Sequence, residues 1–222
     1  MFSDVNSLML HVNTALLETA YMVVLSLIIS IILGGLLGLL LFVTADPLFI
    51  RNRFVNHVMS SAINIVRSLP FLILMIFVLP LSKILVGTKI GPDAVIVPLS
   101  IATIAFFARL AEVSFSSVSH GVLEAYVASG ASELAVIWKI LLPEAATNLI
   151  KNVTITTISV IGSSAMAGLV GGGGLGDLAY RYGYQQYRTD IMIVCVVILV
   201  VLVQLIQVLG DSLAETMQKQ RS

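Results

Sequence analysis

The sequence predicts an all-α integral membrane protein, and three observations carry that class. Of 222 residues, 58% are apolar and 11% charged, with a mean hydropathy of +1.04; an ordinary soluble domain carries about 25% charged residues. Runs such as LLETAYMVVLSLIISIILGGLLGLLLFV are apolar on every helical face over more than the roughly 20 residues that cross a bilayer. None of the runs alternates polar and apolar residues over segments of about 10, as a transmembrane β-barrel would. Formal net charge is zero, which gives nucleic acid no basic surface to bind. The single cysteine, Cys195, lies in an apolar run and reads as a small hydrophobe that has no disulfide partner in the chain.

Five segments are expected to span the bilayer, Ala15–Val43, Ala62–Leu85, Val95–Ala111, Leu149–Val170 and Ile191–Leu209, all in one transmembrane domain over 1–222 with a connecting loop at 120–143. The first follows an acidic start (Asp4, Glu18) and precedes Arg51, Arg53 and His57, so the positive-inside rule puts the N-terminus outside and, after five crossings, the C-terminus in the cytoplasm. It is too long for a signal-peptide core and has no basic residue before it, so it is expected to remain in the mature chain. In that orientation Arg51, Arg53, Arg109, Lys139, Lys151, Lys219 and Arg221 face inward, and Lys83, Lys89, Arg181 and Arg188 face outward. The second segment contains NIVRSLPF, where Arg67 is read as snorkelling to the inner face, and Pro70 and Pro80 are expected to kink or interrupt the helix. The third is short, its start blurred by Pro92 and Pro98, and it ends in an Arg109/Glu112 pair spaced i,i+3.

On the fourth segment, at about 100° per residue, Asn152, Thr156, Ser159, Ser163 and Met166 fall on one face. A polar stripe is costly in lipid, so it either lines a pathway or glues helices together through hydroxyls. Met166 ends the stripe in a flexible thioether, which can also serve as an adaptable core filler. No enzyme signature accompanies the stripe. His11, His57 and His120 are scattered, there is no H-E-x-x-H and no cysteine cluster, and no metal site is proposed. VGGGGLGDL follows a membrane helix and lacks the Gly-Lys-Ser/Thr ending of a phosphate loop, so it reads as a tight turn or a close helix approach.

The polar stretch EAYVASGASELAVIWKILLPEA, residues 124 to 145, predicts a short helix around Leu123–Ser129, a stop at Gly130 and a second helix capped by Ser132. Lys139 is placed in the last turn of that second helix, and Pro143 opens the next. Two short helices make a knob. It serves either as an interfacial element that lays Leu123, Val127, Leu134 and Trp138 on headgroups, or as a docking element.

The knob resembles the cytoplasmic loop of binding-protein-dependent ABC importer permeases, whose EAA pattern places Glu, Ala, Gly, Ile and Leu-Pro at fixed spacings. Glu124, Ala125, Gly130, Ile140, Leu142 and Pro143 match it, and Tyr126 replaces the second alanine. The resemblance implies a type I ABC importer permease fold in which Glu124, Ala125, Gly130, Ala131, Ile140, Leu142 and Pro143 form coupling helices docked on a separate ATPase. Over nearly the whole chain, NIVRSLPFLILM, VGTKIGPDAVIVPLS, SAMAGLVGGGGLGDLAYRYGY and LIQVLGD are similar to the methionine importer permeases. That similarity implies a homodimer, two ABC ATPase subunits that bind ATP and Mg, a methionine-binding lipoprotein, and a bacterial inner-membrane location. No cofactor and no enzymatic activity are expected of this chain. The implied function is translocation of L- and D-methionine by alternating access, with Asn152, Thr156, Ser159 and Ser163 lining the path and Met166 at the gate. Two alternatives remain: a permease for another amino acid or small polar solute, and a non-conducting subunit that docks an ATPase. Neither physics nor spacing names methionine.

Overall fold

The computed structural model describes residues 5–219. Asp4 of the acidic start and Arg221 of the inward-facing cations lie outside the described residues. Among those described, nine α-helices follow in order: α1 Val5–Ala45, α2 Arg53–Ser68, α3 Phe71–Val86, α4 Pro92–Ser116, α5 His120–Ala128, α6 Glu133–Val136, α7 Leu142–Ala167, α8 Gly174–Leu178 and α9 Thr189–Lys219. Wide π-helical turns occupy Ile137–Leu141 and Ala179–Tyr184, and a 3-10 turn occupies Gly168–Val170. Four stretches are long and apolar enough to cross a membrane: Met9–Ala45, Pro92–Ser116, Glu133–Val170 and Thr189–Lys219. The bent pair α2 and α3 makes a fifth if it counts as one span.

α1 has 41 residues, ten of them ahead of the expected segment. Its length of about 61 Å exceeds the roughly 30 Å hydrocarbon core. It packs along α4 more extensively than any other described pair of helices. Gly34 and Gly38 allow this approach: a Cβ on Gly38 would lie 2.6 Å from the Ala108 carbonyl oxygen and 2.7 Å from the Ala111 Cβ. Small residues one turn apart let two membrane helices close to backbone contact.

The expected segment Ala62–Leu85 is two helices, α2 and α3, meeting at 109°. Pro70 has no N–H to continue α2, and it holds Leu69 in extended backbone (φ −85°, ψ 130°). Pro80, by contrast, lies inside α3 without ending it. α4 also runs further than expected. Pro92 occupies its first turn, where a missing N–H costs nothing, and Pro98 is buried mid-helix. α4 is the hub, touching α1, α2, α3 and α7.

The expected fourth segment, Leu149–Val170, begins sixteen residues early, because α6 runs into α7 without a break. Pro143 cannot donate, and the chain accommodates it with a wide turn in which the Leu142 N–H donates to the Ile137 carbonyl. Lys139 is therefore inside a continuous helix and not at a C-terminus, which corrects the helix-dipole reading. α9 extends the fifth segment to Lys219 and packs on α7.

Candidate functional site

The loop joining α4 to α7 is anchored at one end of the bundle. Leu123, Val136, Ile137 and Leu141 are buried with Phe42 and Phe49 near the end of α1 and with Phe107 and Phe115 of α4. Ala131, Ile140 and Leu142 pack against the same cluster. Ser132 caps α6, its hydroxyl accepting from the Ala135 N–H at 3.4 Å. Gly130 ends α5 with φ +85°. The Gly130 N–H donates to the Val127 carbonyl (3.0 Å) and the Ala131 N–H to the Tyr126 carbonyl (3.2 Å). This pair of bonds is the Schellman arrangement, which requires a left-handed residue at that position.

The remaining side chains face outward. Leu134 and Trp138 are 69% and 68% exposed, and Tyr126, Glu124, Ala125 and Pro143 are exposed as well. The expected headgroup-facing set divides here: Leu123 is buried and Val127 half-buried, while Leu134 and Trp138 stay outside. Glu124 lies 3.6 Å from His120 Nε2, and the Asp46 carboxylate lies 3.5 Å from His120 Nδ1. Sequence reasoning left Asp46 and His120 unassigned. Their separation of more than seventy residues hid the contact, and only the four-residue spacing of His120 and Glu124 signalled part of it.

The polar face of α7 splits along its length. At the loop end Asn152 donates to the Leu110 carbonyl (3.0 Å) and to Ser114 Oγ (2.7 Å) of α4. Thr156 is fully buried and donates to the Asn152 carbonyl. Further along lies a cleft of about 270 Å3 lined by Val66, Arg67, Leu69, Phe71, Leu74, Ala102, Thr103, Phe106, Ser159 and Ser163. Met166, 50% exposed, follows one turn beyond Ser163. Thus Asn152 and Thr156 are engaged in helix contacts, and Ser159, Ser163 and Met166 face open space. The lining also includes Arg67, read from sequence as snorkelling to the inner face; here it opens onto a cleft level with the middle of α4. Arg109 bonds Glu112 at 2.6 Å, as the i,i+3 spacing suggested.

The opposite end of the bundle is closed by the glycine turn. Glu18 accepts from the Gly174 N–H (2.7 Å), and Thr19 accepts from the Leu175 N–H (2.9 Å), tying the turn to α1. Buried Asp177 bonds Arg181, and that hydrogen bond holds the guanidinium above its ordinary pKa. The turn is therefore a braced helix junction. Among the described residues no three His, Cys, Asp or Glu side chains are grouped to hold a metal.

A membrane bundle with a braced turn at one end, an anchored and protruding loop at the other, and a cleft between has the layout of a membrane transport component. Residues 30–219 match the binding-protein-dependent transport system inner membrane component family, and the chain belongs to it. More particularly, it is 46% identical over 200 residues to the probable D-methionine transport system permease protein MetI of Vibrio cholerae, covering 90% of this chain and 89% of that one. It is 43% identical over 181 residues to the methionine import system permease protein MetP of Bacillus subtilis, covering 82% of each. A solved structure of inward facing conformations of the MetNI methionine ABC transporter matches with a TM-score of 0.92 and 38% identity, over 96% of this chain and 99% of that chain. The fold is that of the type I ABC importer permeases.

Proposed function

We propose that this chain is the membrane-spanning permease subunit of an ATP-driven importer that carries L- and D-methionine into a bacterial cell by alternating access. The observation that carries the substrate is the naming of the Vibrio cholerae and Bacillus subtilis relatives as methionine permeases, each matched over more than four fifths of its length. The chain acts as a homodimer with two ABC ATPase subunits and a methionine-binding lipoprotein. The ATPases bind ATP and Mg and perform the hydrolysis.

The N-terminus lies outside and the loop 120–143 in the cytoplasm. Glu124, Ala125, Gly130, Ala131, Ile140, Leu142 and Pro143 then build the coupling element. Its exposed Tyr126, Leu134 and Trp138 support this reading, because apolar side chains held outward on a buried anchor suit a partner's groove. Ser159 and Ser163 line the path, Met166 narrows its end, and Asn152 and Thr156 fix the helices that frame it.

Co-purification tests the assembly. A tagged chain extracted gently from its own membranes is expected to bring down one ABC ATPase in equal amount, and the binding protein when methionine and ATP are present. Recovery of the chain without any ATPase contradicts the proposal.

A further inference from the structure

Arg67 is the one cation in the lining of the cleft between the α2–α3 elbow and the α4–α7 pair, and no carboxylate accompanies it there. It makes no hydrogen bond or ion pair among the described residues, and neither do the hydroxyls of Ser159 and Ser163, which line the same cleft. Thr103 Oγ1 donates to the Leu99 carbonyl and keeps its lone pairs free. The remaining walls are Val66, Leu69, Phe71, Leu74, Ala102 and Phe106, all apolar. Thr103 and Phe106 sit midway along α4, so the cleft opens between the ends of that helix, with the exposed Arg67 in its lining. An ionisable side chain without a partner in a cleft between membrane helices marks a pathway or a partner.

Resting on the transport reading above, we propose that Arg67 binds the α-carboxylate of the transported amino acid in this cleft. The guanidinium offers two parallel N–H donors to the two carboxylate oxygens. The hydroxyls of Ser159 and Ser163 supply further donors, and the apolar wall receives an unbranched side chain. No acid in the lining faces the ammonium group, which meets only hydroxyl oxygens and solvent. The site therefore recognises the carboxylate and tolerates loss of the amine. The lining thus holds one fixed positive charge.

The test is thiol protection in the assembled complex in lipid nanodiscs, with Ala102→Cys as reporter in a Cys195→Ser background. Three probes are compared: methionine, its 2-hydroxy acid analogue, which keeps the carboxylate and lacks the amine, and methioninol, which keeps the amine and lacks the carboxylate. Methionine and the hydroxy acid are expected to slow alkylation by about tenfold, and methioninol to leave it unchanged, as a charge-assisted contact predicts. Adding Arg67→Gln removes the protection and lowers methionine uptake by about tenfold, while Arg67→Lys keeps both within about threefold, since charge survives and only the fork geometry is lost. Stoichiometric ATPase recovery with each variant excludes misassembly as the cause. Equal protection by methioninol, or unchanged protection and uptake in Arg67→Gln, overturns the site and leaves the transport reading standing. Absence of methionine uptake by the unaltered complex overturns both.

Discussion

Replacing Gly130 gives the sharpest test of the loop, because two contributions to the cost are separable. A Cβ built on Gly130 meets nothing within 4 Å, so no clash opposes a side chain there. The whole cost is backbone: φ is +85°, and an L-residue with a Cβ loses about 1–2 kcal/mol in the left-handed region. A β-branched side chain is a stronger outlier, at about 2–3 kcal/mol. If that cost falls on the docked loop, Gly130→Ala weakens ATPase binding by about five- to thirtyfold and Gly130→Val by about 30- to 150-fold. Gly130→Asn stays within a few-fold of Gly, because asparagine tolerates this conformation. The assay is titration of the ATPase onto the permease in nanodiscs, read beside ATP hydrolysis and uptake. Membrane insertion is unaffected, since the anchors Leu123, Val136 and Leu141 are untouched. Equal affinities for the Gly, Asn and Val forms refute the conformational argument.

Gly38→Ala forces α1 from α4, because its Cβ would lie 2.6 Å from the Ala108 carbonyl oxygen, and is expected to cost about 1–3 kcal/mol as a lowered melting temperature; Gly35→Ala, whose nearest contact is an ordinary 3.7 Å, serves as the neutral control. In a Cys195→Ser background, an impermeant thiol reagent is expected to label Lys89→Cys in intact cells and to spare Ser132→Cys, and the reverse pattern contradicts the orientation. Ser163→Trp is expected to fill the cleft, which measures about 270 Å3, and abolish uptake with the complex still assembled. Met166→Ala is expected to make ATP hydrolysis less dependent on the binding protein, as measured by hydrolysis with and without it.

The loop was legible because its signals are local. Gly130 and Ser132 each act on hydrogen bonds within a few residues, so the stop and the cap appear in the structure where the residue types put them. Pro143 was harder, since proline at a helix start and proline absorbed by a wide turn read alike until the Leu142 to Ile137 bond is seen. The break at Pro70 was expected, but its 109° angle was not, because a proline marks where a helix stops and not the direction in which the next one sets off. Helix ends were underestimated at α1 and α9 because hydropathy marks the lipid boundary and not the last hydrogen bond. The face of α7 illustrates a further limit. A helical wheel groups Asn152 with Ser163, but only the packing of the neighbouring helices decides that one bonds α4 while the other opens on a cleft. Arg67 likewise shares a cleft with Ser159 and Ser163 only because the chain turns at Pro70.

Radiolabelled methionine uptake tests the central claim most directly. Cells lacking every other methionine importer, supplied with this chain, its ATPase and its binding protein, are expected to accumulate methionine in an ATP-dependent manner and to lose accumulation when this chain alone is omitted. If the same complex restores uptake of another amino acid and not methionine, the substrate assignment is contradicted, and if it assembles yet moves no amino acid, the permease account itself is contradicted.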